Sequence, residues 1–92
     1  MKEKNILMLA RRDPREAMRV TAGLAVRGHH LTFYFLVPPE KDPSGRIINL
    51  EMLEVMEIDA KTLLPGLEGI ATLQTKAELS QAMAKADHVV SI

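Results

Sequence analysis

At 92 residues the chain has room for one hydrophobic core, which excludes a second domain and makes residues 1–92 a single unit. Hydrophobic residues make up 47% of it and only three are aromatic, which excludes disorder and predicts a core of Leu, Ile, Val, Met and Ala. A formal net charge of zero lacks the basic excess of a dedicated nucleic-acid binder, and the absence of cysteine excludes a disulfide, a thiolate nucleophile and a zinc–thiolate site.

The neutral total hides a split. Residues 1–46 carry nine Lys/Arg against five Asp/Glu, and residues 47–92 carry three against seven, so the halves are +4 and −4. Either the split serves head-to-tail contacts between subunits, or each charge is simply solvated, since exposed pairs are individually weak.

The amino-terminal third carries the clearest pattern. Asn5-Ile-Leu-Met-Leu-Ala10 is an apolar run, Arg11-Arg12-Asp13-Pro14 breaks it, an amphipathic stretch follows to Arg27, and Leu31-Thr-Phe-Tyr-Phe-Leu-Val37 is a second apolar run. These read as strand, helix and strand, with the two strands parallel. Asp13 is placed to cap the helix, Pro14 suits its first position because no N–H is lost there, and Glu16 completes the spacing of a capping box. Ala17, Val20, Thr21 and Leu24 form the packed stripe, and Gly28 ends the helix.

Residues 38–45 hold three prolines and a glycine, predicting an irregular loop that is either a mobile lid or a plain connector. A second helix is predicted from Arg46 to about Glu57. Ile48, Met52, Leu53, Val55 and Met56 share one arc, while Ile47 and Leu50 lie on the other side. The apolar surface exceeds what one sheet contact needs, which makes Ile47, Leu50, Met52 and Met56 candidates for a subunit interface; the alternative is that Ile47 and Leu50 tuck under the preceding loop.

A third strand is expected over about residues 57–63 and a short fourth over 70–73. Thr75-Lys-Ala-Glu78 is a further capping box, opening a helix with Leu79, Ala82, Met83 and Ala86 on one face and stopping near Ala86 or Asp87. His88-Val-Val-Ser-Ile92 reads as a last strand. The order predicts an α/β fold, an open and mainly parallel sheet of about five strands between helices on both faces.

Ala25-Val-Arg-Gly28-His29, the Phe33-Tyr-Phe strand and the closing Ala84-Lys-Ala-Asp87-His-Val-Val-Ser-Ile92 resemble the DsrE/DsrF-like family of small sulfur-relay proteins. The resemblance spans nearly the whole chain through diffuse positions. It implies a three-layer α/β/α sandwich assembled into homo-oligomers, commonly trimers or hexamers, and in active members sulfur transfer through a cysteine persulfide. That cysteine would fall near Asp59-Ala60-Lys61-Thr62, none of which can carry one. A hydroxyl or amine does not replace a soft, ionisable sulfur, and methionine has no S–H to ionise.

Among candidate sites, Arg11, Arg12, Asp13 and Arg15 surround the start of the first helix, where free amides and the helix dipole suit a phosphate, sulfate or carboxylate. Ser44, on the following loop, is placed with them at the carboxyl edge of the sheet. No glycine-rich phosphate loop accompanies them, and arginines paired with Asp13 or Glu16 in solvent are the plainer reading. His29 and His30 are adjacent and point apart if extended, so no metal site is expected, and no cofactor is implied. Lys61 shows no sign of the burial a Schiff-base amine needs. The serines lack a nucleophile elbow, and Glu51 and Glu54 read as a solvated helix face.

Met1-Lys-Glu-Lys-Asn5 leads straight into a strand, and no apolar run approaches the ~20 residues of a membrane span, so a cytoplasmic protein without membrane partners is expected. Two functions remain. One is a non-catalytic DsrE-like subunit that self-associates and binds a partner or acts as scaffold. The other is a small-anion or nucleotide binder, or a non-thiol enzyme, using the sheet edge near Arg11 and Arg12.

Overall fold

Alternation of apolar side chains along the first strand sets the whole architecture. In β1 (Asn5–Ala10), Met8 and Ala10 face one side of the sheet and Leu7 and Leu9 the other, and all four are buried, so both sides must be covered. The computed structural model describes residues 3–92 and continues with α1 (Pro14–Val26), β2 (His30–Phe35), α2 (Leu50–Val55), β3 (Ala60–Thr62), β4 (Thr72–Leu73), α3 (Lys76–Lys85) and β5 (His88–Ser91).

The five strands form one sheet in the order β4-β3-β2-β1-β5, and every pairing is parallel. Asn5 stands opposite His30, Leu9 opposite Tyr34 and Tyr34 opposite Lys61, which fixes one common register across the centre. The first and last strands are neighbours, with Leu7 opposite Val89. This is the three-layer α/β/α sandwich that the sequence predicts.

One layer is thick. Met8, Ala10, Phe33 and Phe35 pack under Ala17 and Met18 of α1 and Leu53 of α2, and the two phenylalanine rings meet edge to face at 4.9 Å. The opposite layer is a single helix. Leu79, Ala82 and Ala86 lie over Leu7, Leu9 and Tyr34, yet no residue within α3 is buried.

The helix ends follow the sequence with one difference. Asp13 accepts the Glu16 amide at 3.1 Å, but the Glu16 carboxylate turns to Arg19, so α1 has a single cap where a reciprocal box is predicted. At α3 the box is complete: Thr75 Oγ1 accepts the Glu78 amide at 3.1 Å, and Glu78 Oε1 accepts the Thr75 amide at 3.0 Å.

The middle of the chain departs from expectation. Residues 46–49 are not helical, because Asn49 takes a left-handed conformation (φ 71°) and α2 begins only after it. Ile47 instead bridges Lys41 in antiparallel fashion, which puts regular pairing into the proline-rich loop. The Asp42 carboxylate holds the turn, accepting from Ser44 N, Ser44 Oγ and Arg46 N at 2.9, 2.6 and 3.0 Å. Ile47, a candidate for the interface, is therefore 7% exposed and part of the core, and Leu50 packs against the same cluster. β3 starts three residues later than expected because Glu57 (φ 55°) is still leaving the helix, and β4 is shortened by a turn in which Ile70 and Ala71 both donate to the Leu67 carbonyl.

Candidate functional site

Two places deserve comparison: the carboxyl edge that the sequence favours, and a groove on the opposite side of the sheet. At the edge, the first turn of α1 is where free amides are expected to meet an anion, and the loop from β1 leads into it. In that loop the amides of Arg11, Arg12 and Asp13 converge on the Ile92 backbone oxygen, at 2.9, 2.9 and 3.3 Å. Asp13 itself takes the amides of Glu16 and Ala17. The amides of residues 11–13, 16 and 17 are thus engaged within the chain.

The arginine side chains lie in solvent. Arg12, Asp13 and Arg15 line a hollow of about 370 Å³ together with Pro38 and Glu40, and Arg15 pairs with Glu40 at 3.6 Å. Neither Arg11 nor Ser44 is among the residues lining it. Ser44 is held in the Asp42 turn, where the Ser44 hydroxyl and then the Arg46 amide keep the Asp42 carboxyl below the usual range. The hollow therefore gathers three of the five candidates, and it holds the Glu40 carboxylate beside them.

The groove lies between α3 and the sheet and encloses about 360 Å³. Its floor comes from residues that alternate along three strands: Asn5 and Leu7 of β1, His30, Thr32 and Tyr34 of β2, and Lys61 of β3. Its wall is α3, from which Glu78, Gln81 and Lys85 line it. The helix runs against the strand direction. Its start lies beside the end of β3, where Gln74 N donates to the Thr62 carbonyl, and its end lies beside the start of β1, where Asp87 N donates to the Asn5 carbonyl.

Tyr34 is 1% exposed, and burial first, then the Glu78 carboxylate, raises its phenol above the ordinary value. It is a neutral hydroxyl at physiological pH. His29, the other half of the histidine pair, accepts the Lys4 amide on Nδ1 at 3.2 Å and ties β1 to the turn before β2. That is a structural task. His30 faces the groove.

The candidates on α2 are divided by the packing. Met52 and Met56 are half-buried, Val55 between them is 78% exposed, and Ile47 and Leu50 belong to the interior. Among the described residues, no helix is long and apolar enough to cross a membrane.

Comparison with known proteins places the fold. Over 97% of this chain and 99% of the other, the structure superposes on the crystal structure of the YchN protein from E. coli with a TM-score of 0.71 at 20% sequence identity. YchN has the DsrE-like fold. The two chains share an architecture. No family model and no curated protein sequence matches this chain.

Proposed function

We propose that this protein is a non-catalytic subunit of DsrE-like fold that self-associates and serves as a binding or scaffold component. The observation that supports the reading is a DsrE-like fold, matched over nearly the full chain, in a chain without any cysteine. Persulfide relay needs a thiolate to accept sulfane sulfur and pass it on, and no other side chain here has a soft, ionisable sulfur.

Self-association is supported by the outer side of α2. Val55 stands 78% exposed between Met52 and Met56, adaptable side chains well suited to an interface between copies. A 92-residue domain buries only about 60% of its unfolded surface, so association adds burial that a lone subunit lacks.

Sedimentation equilibrium together with a sulfur-transfer assay tests both parts. A particle mass that is a multiple of 10.2 kDa, reduced to one subunit by Val55→Lys, is expected alongside no persulfide turnover. A monomer at about 100 µM, a scale typical of weak self-association, refutes the assembly; sulfur release from a persulfide donor refutes the non-catalytic role.

A further inference from the structure

The groove beside α3 has a polarity that the scaffold reading does not use, and its two ends differ. The lower end, at the start of the strands, is formed by His30 and Asn5 of the sheet and Lys85 of the helix. No acid lines it. The Asp87 carboxylate stands just outside the lining, held by Oδ2 accepting the Asn5 amide at 2.8 Å. The upper end, at the level where Tyr34 stands opposite Lys61, mixes donors and an acceptor: the Tyr34 hydroxyl, the Lys61 ammonium and the Glu78 carboxylate.

The roles at the upper end are constrained. Glu78 has one oxygen on the Thr75 amide at 3.0 Å, which fixes the carboxylate and leaves the other oxygen to accept. The burial of Tyr34 and then the Glu78 charge keep the phenol protonated, so Tyr34 can donate. A second full charge is ill-suited there, because Lys61 opposes a cation and Glu78 opposes an anion. A neutral group with both a donor and an acceptor, such as an amide or a heterocyclic edge, fits both. From His30 to Tyr34 is four strand residues, roughly 13 Å. Between the ends the lining is Leu7 and Ala82 with the polar Thr32 and Gln81, suited to a short mixed-polarity spacer.

We propose that this groove binds an elongated small-molecule anion, with its acidic group between His30 and Lys85 and a neutral hydrogen-bonding group at Tyr34, Lys61 and Glu78. The acidic group is a carboxylate or a phosphate, which share the chemistry of the lower end. The site does not depend on self-association, since α2 lies on the other face of the sheet.

The test uses the intact 15N-labelled protein and three probes: N-acetyltriglycine for the carboxylate, adenosine 5′-monophosphate for the phosphate, and N-acetyltriglycine amide as the uncharged control. Saturable shifts of the Thr32, Tyr34 and Gln81 amides are expected with at least one anionic probe, and the probe that binds identifies the acid. Lys85→Gln is expected to weaken that binding about tenfold and to leave the weak binding of the control unchanged. Lys85 is exposed, so a well-dispersed spectrum of the variant confirms its fold. The proposal is overturned if neither anion moves these resonances at about 10 mM, a concentration that still detects millimolar binding. It is equally overturned if the control binds as tightly as the acid, if Lys85→Gln has no effect, or if the shifts gather at Arg12 and Arg15. Loss of self-association with these shifts intact defeats only the scaffold reading, and the reverse result defeats only this one.

Discussion

The two faces of the sheet are built from the same strands and differ in what covers them. Under α1 and α2, side chains such as Met8, Met18, Phe33 and Phe35 have no exposure at all. Under α3 the floor is equally apolar at Leu7 and Leu9, but the helix above has no buried residue, and polar side chains of β2 and β3 look into a groove. Stability is concentrated on one side, and the other is left wet enough to bind something. A domain of this size buries a smaller fraction of its surface than a larger one, and here the thinner cover is the one beside the groove.

The sharpest way to break that contrast is to hollow each face in turn. Phe35→Ala is expected to cost about 3–5 kcal/mol, because a fully enclosed ring leaves a cavity, while Leu79→Ala on half-buried α3 costs about 1 kcal/mol. Urea titrations of both variants measure this, and equal losses would show that the layers are energetically alike. A smaller effect concerns Tyr34. Its phenol is raised above 10.0 by burial and then by Glu78, so the folded state holds the proton more tightly than the unfolded chain. Stability from this group is complete below pH 10 and is lost as pH rises through the folded-state value. Melting temperatures are therefore expected to fall more steeply above pH 10 in the parent than in Tyr34→Phe. The smallest effect belongs to the carboxyl edge: removing the exposed Arg15–Glu40 pair by Arg15→Ala shifts stability by less than about 1 kcal/mol, and added phosphate leaves the melting temperature of parent and variant alike.

The first unit, β1 to β2, is legible in the sequence because its boundaries are written in local chemistry. Asp13 and Pro14 start the helix, Gly28 (φ 93°) ends it, and neither depends on distant residues. Around α2 the same apolar spacing fits a helix or a bridged turn, and only the left-handed Asn49 decides between them. Ile47 thereby moves from a supposed outer face into the core.

At the carboxyl edge, what no local reading exposes is that the amides of Arg11, Arg12 and Asp13 meet the backbone oxygen of residue 92, about eighty positions away. The groove is hidden in the same way, being assembled from four elements. One signal for it is visible in β2, where His30, Thr32 and Tyr34 alternate with Leu31, Phe33 and Phe35. Every second residue there carries a polar group, as a strand does when one of its faces meets water.

The pairing of β5 with β1 has a kinetic consequence. Its pairs, such as Ile6 with His88, join positions 82 residues apart, whereas β1 and β2 are separated by a single helix. Closing so long a loop is entropically slow, so the β1–α1–β2 unit is set to condense early and the last strand to arrive at the end of the process. Mutations in β5 should accordingly speed unfolding and leave the refolding rate nearly unchanged.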